Sequence, residues 1–126
     1  MVKENKMLVG IDIMDVVRME KMSLNPNHSK RIYTQYEIEY INKTNKRTQR
    51  MAGLYCAKEA FLKAVGTGVR NGIDFLEIEV QHDKDGKPFF KLSEKVKFLL
   101  ATKGLKNAAV SISHTEEIST AICILS

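Results

Sequence analysis

Apolar residues recur with a period of two near the start of the chain, where Met7, Val9, Ile11 and Ile13 alternate with Leu8, Gly10 and Asp12. Such alternation marks a strand. Residues 7–13 are therefore expected to form a buried strand, with Met7, Val9, Ile11 and Ile13 on one face and Leu8, Gly10 and Asp12 on the other. Asp12 is out of place in so apolar a segment. A carboxylate there must be hydrogen-bonded, paired with a cation, or used to cap the next helix. Residues 15–22 read as a helix that brings Arg18 and Met22 to one side. The turn formers Asn25-Pro26-Asn27 make 24–30 a loop. Thr34-Gln35-Tyr36-Glu37 is a capping-box pattern that starts a short helix through about Ile41, and it gives Glu37 a structural role.

From about Thr48 the period becomes that of a helix. At 100° per residue, Leu54, Ala57, Phe61, Ala64 and Val65 share a broad apolar face. Glu59 lies opposite, beside Ala52, Tyr55, Cys56, Leu62 and Lys63, which is too apolar a neighbourhood for a solvated face. The segment Lys58-Glu59-Ala60-Phe61-Leu62-Lys63 runs into Gly66-Thr67-Gly68. Glu59 and Lys63 are helix-surface neighbours, and glycines allow close backbone approach to a ligand. The group could hold a metal ion and a phosphate together, or form a buried ion pair.

Asn71-Gly72 marks a turn, after which 73–81 alternate, with Leu76, Ile78 and Val80 inward and Phe75, Glu77 and Glu79 outward. Asp83-Lys84-Asp85-Gly86 reads as a hairpin turn into 87–92, where Pro88 suggests an edge. Ser93 can cap a helix carrying Val96, Leu99 and Leu100 that stops near Gly104. Residues 108–113 and 118–125 form a closing hairpin. The order of elements gives an α+β fold: a single compact domain over 1–126, with a mainly antiparallel sheet and packed helices.

The length of 126 residues suits that single domain, and 20 Lys and Arg against 15 Asp and Glu give a net charge of +5, favouring anionic partners. The densest basic group, Lys43, Lys46, Arg47 and Arg50, is no polyanion-binding tail and lacks interleaved stacking aromatics, so nucleic acid is disfavoured. Cys56 and Cys123 form neither a disulfide framework nor a zinc motif. With no membrane-length apolar run and no signal-like start, the expected home is the cytoplasm. Neither G-x-S-x-G nor a Walker pattern occurs. Ser111-Ile112-Ser113-His114-Thr115 does place hydroxyls and an imidazole at a strand end, where they can meet a ligand.

Three separated segments together resemble the holo-acyl-carrier-protein synthase family, the bacterial type of 4′-phosphopantetheinyl transferase. They are Val9-Gly10-Ile11-Asp12-Ile13, the run from Ala57 through Lys58-Glu59-Ala60-Phe61-Leu62-Lys63 to Gly68, and Val110-Ser111-Ile112-Ser113-His114-Thr115. Asp85-Gly86-Lys87-Pro88 fits as well, and the resemblance covers nearly the whole chain. It implies a 4′-phosphopantetheinyl transferase-like fold and transfer of the phosphopantetheine arm of coenzyme A to a serine of apo-acyl carrier protein, with release of adenosine 3′,5′-bisphosphate, in support of fatty acid synthesis. By resemblance, Asp12 and Glu59 ligate Mg²⁺, with Mn²⁺ as a substitute. Lys63 neutralises phosphate charge, and Gly66, Ser113, His114 and Thr115 contact coenzyme A. Glu59, or a metal-bound water that it orients, takes the serine proton. Arg18 and Met22 dock the acidic carrier, and the family forms homotrimers with active sites between subunits.

This chain departs from the family at one place. A basic residue commonly stands where it has Leu54, so one coenzyme A contact must come from elsewhere, with Arg50 or Arg47 as candidates. The competing readings are a nucleic-acid-binding module using the basic group at 43–50 and a catalytically inactive carrier-binding relative. The presence of Asp12, Glu59 and Lys63 argues against the latter.

Overall fold

In a computed structural model, which describes residues 6–66 and 72–126, the centre is a helix buried on almost every side. The strands are β1 (Leu8–Asp15), β2 (Ile78–His82), β3 (Pro88–Leu92), β4 (Ala108–His114) and β5 (Ile118–Leu125). The helices are α1 (Val16–Ser23), α2 (Pro26–Ile32), α3 (Gln35–Asn42), α4 (Arg47–Val65) and α5 (Glu94–Thr102). One antiparallel sheet has the order β1-β5-β4, and β2 and β3 form a separate antiparallel pair. The fold is α+β with antiparallel sheets, as the sequence implies.

Helix α4 crosses the inner face of the three-stranded sheet, and two glycines permit the crossing. A Cβ on Gly10 of β1 would stand 1.9 Å from the Ala60 carbonyl oxygen, so only glycine fits there. At the other edge, a Cβ on Gly53 of α4 would meet the Ile112 side chain of β4 at 3.2 Å. The N-terminal half of the helix thus lies over β4 and the C-terminal half over β1.

That crossing corrects the expectation of a buried strand at β1, because only one of its two faces is covered. Gly10 and Met14 are buried against the helix with Asp12 on the same side, whereas Met7, Val9, Ile11 and Ile13 are 65%, 55%, 63% and 62% exposed. The alternation does mark a strand, but its apolar face points away from this chain's core. Only one face of the sheet is covered by α4. The other is paved by Val9, Ile11 and Ile13 together with Ile122, which lies opposite Ile11 on β5.

Two other expectations are corrected. Residues 24–30 are not a loop, because Asn25 accepts the Asn27 amide as an N-cap and Pro26 occupies the first turn of α2. The turn formers start a helix here. Leu76 is exposed, not inward, because Asp74 accepts the Leu76 amide while Glu77 bonds back to the Asp74 amide. This capping box winds Phe75–Glu77 into a 3₁₀ turn and delays β2 until Ile78, after which Ile78 and Val80 are buried as expected. The 83–86 turn has the expected place between β2 and β3, with Asp83 Oδ1 accepting the amides of Asp85 and Lys87. Pro88 begins β3, which among the described residues pairs with β2 alone, and Ser93 caps α5. The turn placed at Asn71-Gly72, like Thr67 and Gly68, involves residues outside those described.

Glu37 is structural, and more deeply so than a cap requires. Its Oε1 accepts the Thr34 amide at 2.8 Å and the Lys58 ammonium at 2.6 Å, and Oε2 accepts the Val80 amide at 2.8 Å. Lys58 also donates to the carbonyls of Ile32 and Phe75. Its three N–H bonds are thereby matched, as a fully buried ammonium requires. Lys58 therefore belongs to the core, where burial pulls its pKa below the ordinary lysine value and the Glu37 carboxylate opposes that shift.

Candidate active site

The close approach at Gly10 determines where Asp12 lies. Two residues further along the same face of β1, its carboxylate meets the last turns of α4, where Lys63 Nζ donates to Asp12 Oδ1 at 2.8 Å and to the Ile11 carbonyl at 3.2 Å. Thr120 of β5 steadies the strand by donating to the Asp12 carbonyl at 2.8 Å. Glu59, one turn before Lys63, is only 7% exposed. The helical wheel's expectation of partly buried surroundings for this carboxylate agrees with that burial.

Cys56 is a reporter of the group. Its thiol is pushed up to about 12, first by burial and then by the nearby Asp12 carboxylate; Lys63 opposes this and Glu59 adds to it. The neutral thiol thus lies within the field of Asp12, Glu59 and Lys63 together. Sequence reasoning puts Cys56 beside Glu59 on the wheel but gives it no part in the site.

Could these residues hold a divalent cation? Among the described residues, no group of three or more His, Cys, Asp and Glu side chains is placed to hold a metal. A closed protein cage of the zinc or calcium kind is therefore not what Asp12 and Glu59 offer. They do fit a hard cation that takes one or two carboxylates and completes its octahedron with phosphate oxygens and water. The Lys63 ammonium already at Asp12 shows that the position accepts positive charge.

Gly66 ends α4 with φ of 106°, a conformation open to glycine, and among the described residues nothing lies within 4 Å of where its Cβ would be. Its backbone is accessible one turn after Lys63. Ser113, His114 and Thr115 are exposed at the far edge of the sheet, on and just beyond β4. The Thr115 hydroxyl accepts the amides of Glu117 and Ile118 and so shapes the β4–β5 turn. His114 lines a cleft of about 270 Å³ with Leu54, Arg50 and Ser119, and neither Ser113 nor Thr115 is part of its wall. The predicted constellation is therefore divided within one chain: Asp12, Glu59 and Lys63 at the β1 end of α4, and His114 at the β4 end. Cys56 lies between, its sulfur 3.5 Å from the Ser119 carbonyl. Arg18 is exposed on α1, and Met22 is partly buried against the core.

The family model of the 4′-phosphopantetheinyl transferase superfamily matches residues 8–123. The chain belongs to this superfamily. It is 40% identical over 122 residues to the holo-[acyl-carrier-protein] synthase of Fusobacterium nucleatum, covering 94% of this chain and 99% of that protein. Its fold is similar to that of the crystal structure of holo-[acyl-carrier-protein] synthase from Neisseria meningitidis, with a TM-score of 0.85 and 30% identity over 94% of this chain and 97% of that one. It also resembles the synthase of Bacillus anthracis in complex with CoA (3′,5′-ADP), with a TM-score of 0.77 and 35% identity over 94% of each chain. Within the superfamily, the Asp12–Lys63 contact and the burial of Glu59 beside it are the local geometry from which a function can be argued.

Proposed function

We propose that this chain is a holo-[acyl-carrier-protein] synthase. It transfers the 4′-phosphopantetheine moiety of coenzyme A to a serine of apo-acyl carrier protein and releases adenosine 3′,5′-bisphosphate, in support of fatty acid synthesis. As a transferase of a substituted phosphate group, it must align a hydroxyl with phosphorus and offset the charge that builds on the phosphate oxygens. The observation that carries the reading is the Asp12–Lys63 contact across β1 and α4, with Glu59 buried one helical turn before Lys63.

Asp12 and Glu59 would hold Mg²⁺, or Mn²⁺ in its place, which when bound supplies charge neutralisation at the pyrophosphate. Lys63, half exposed and tethered to Asp12 and the Ile11 carbonyl, turns its remaining donor to a phosphate oxygen. Glu59 directs the loss of the serine proton, because a carboxylate held in a largely buried position keeps the fixed aim that a proton acceptor needs. The accessible Gly66 backbone and Ser113, His114 and Thr115 hold the rest of coenzyme A. The direct assay is release of adenosine 3′,5′-bisphosphate from coenzyme A. Release is expected only with both apo-carrier and Mg²⁺ present, and release independent of the carrier would contradict a transfer.

The carrier docks at α1 through Arg18 and Met22, a charged contact beside an apolar one. Rim charges chiefly govern encounter and orientation. Arg18→Glu is therefore expected to raise KM for the carrier about tenfold while leaving coenzyme A affinity unchanged, the size of one lost charged contact plus repulsion. Calorimetry of coenzyme A alongside carrier kinetics checks this, and equal loss for both ligands would remove Arg18 from the docking surface.

The active form is a homotrimer with its sites between subunits. Two features support this: the apolar outer face of the sheet around Ile11, and the separation of Asp12 from Ser113 and His114 within one chain. Ile11→Asp would bury a carboxylate in that contact, which is costly without a partner. Sedimentation equilibrium is expected to give trimer for the parent chain and monomer for the variant. A monomeric parent with full activity would contradict the assembly. The protein acts in the cytoplasm, in keeping with two buried free cysteines and with the finding that no described helix is long and apolar enough to cross a membrane. Neither nucleic acid nor membrane is needed as a partner.

A further inference from the structure

The cleft at the β4 end of α4 carries two cations, Lys46 and Arg50, in its wall. They line it with His82 and His114, and none of its lining residues is acidic. Behind its wall, Ser119 Oγ and His82 Nδ1 are buried without a hydrogen-bond partner among the described residues.

Arg50 is held ready in that wall. Its guanidinium lies 4.0 Å from the centroid of the Tyr40 ring and donates to the Tyr40 carbonyl. Tyr40 in turn stacks on His82 with centroids 4.2 Å apart and planes 17° from parallel. A guanidinium fixed on an aromatic face loses little further freedom when it grips an anion, and its planar fork suits phosphate oxygens. Leu54, one turn later on the same face of α4, contributes only apolar wall. Arg47, the other candidate for the missing cation, instead donates to Asn42 on the exposed surface at 2.9 Å.

We propose that Arg50 is the residue that binds the 3′-phosphate of coenzyme A, in the cleft it forms with Lys46 and the Tyr40–His82 stack, and so supplies from one helical turn earlier what Leu54 cannot. The inference rests on the proposed transferase function and deepens it. Coenzyme A carries two separate phosphate groupings. The pyrophosphate belongs with Asp12, Glu59 and Lys63 at the other end of α4, which leaves the dianionic monoester for a second cationic site. Burial, and next the Arg50 charge, lower the pKa of His82, so Arg50 supplies the lasting positive charge of the stack.

The test compares coenzyme A with 3′-dephospho-coenzyme A as donor. Arg50→Gln is expected to raise KM for coenzyme A about tenfold to hundredfold, the loss of one charge-assisted contact, with kcat retained and KM for the dephospho donor unchanged. Arg47→Gln is expected to leave the ratio of the two KM values as it is. An equal change for both donors in Arg50→Gln, or no change for either, would overturn the proposal. A misfolded variant would lose both donors alike, so calorimetry forms the second arm. Adenosine 3′,5′-bisphosphate is expected to bind the parent chain more tightly than adenosine 5′-monophosphate, and Arg50→Gln to abolish that preference. If the parent chain transfers nothing to any carrier, the transferase reading fails on its own. The calorimetric preference still decides the role of Arg50, and its persistence in the variant would refute it.

Discussion

Asp12→Ala and Glu59→Ala are each expected to lower Mg²⁺-supported transfer by about 10²–10³-fold, the range found when one preorganised electrostatic contact is removed from a transition state. The two losses have different origins. Without Asp12, Lys63 loses its 2.8 Å partner and the candidate metal position loses its strand-borne ligand. Without Glu59, the helix-borne carboxylate and the candidate proton acceptor go together. Because both residues serve one site, the double variant should be little worse than the worse single one, as for groups that act as a unit. Both variants should still fold, since alanine suits helix α4 at position 59 and the Asp12–Lys63 pair is partly open to solvent. Full activity in both variants would remove this site from the reaction.

Glu37→Ala is expected to cost about 3–5 kcal/mol of stability, the range for removing one partner of a buried ion pair. Neither side chain of the Glu37–Lys58 pair is exposed. Deleting the carboxylate strands the Lys58 ammonium and leaves the amides of Thr34 and Val80 without an acceptor. That loss is a large fraction of the total stability of an ordinary domain. Urea unfolding with an unchanged slope would measure it, and a loss below about 1 kcal/mol would mean that the pair is dispensable. The distinction from Glu59 is direct: Glu37→Ala should unfold the protein at lower denaturant, whereas Glu59→Ala should fold and fail to turn over.

The Glu37–Lys58 pair also illustrates what is legible in the chain and what is not. Local chemistry is legible: the Thr34–Glu37 capping box, the hairpin turn at Asp83 and the Ser93 cap all depend on neighbours within a few residues. Pairing between α3 and α4 depends on tertiary packing and leaves no mark in either segment. The inward face of β1 escapes the sequence for a related reason. Alternation distinguishes two faces but does not say which of them the same chain covers, and here Gly10 yields the inner side to α4. At Asn25-Pro26-Asn27 one set of residues suits both a turn and a helix start, and only the Asn25 cap and the helix behind it decide. The carboxylate and ammonium of the Asp12–Lys63 contact are legible as an oddity in an apolar strand and a charge on a buried helix. Tyr40 and His82 are not, because their stack joins α3 to β2 from distant parts of the sequence.

The central claim is that this chain modifies an acyl carrier protein. Its most direct test is the intact mass of purified apo-carrier after incubation with the protein, coenzyme A and Mg²⁺. The predicted result is a gain of one phosphopantetheinyl group on the carrier serine, absent when the metal is chelated and when Glu59 is replaced by Ala. An unchanged mass for several apo-carriers, with the protein folded and coenzyme A and Mg²⁺ present, would contradict the account.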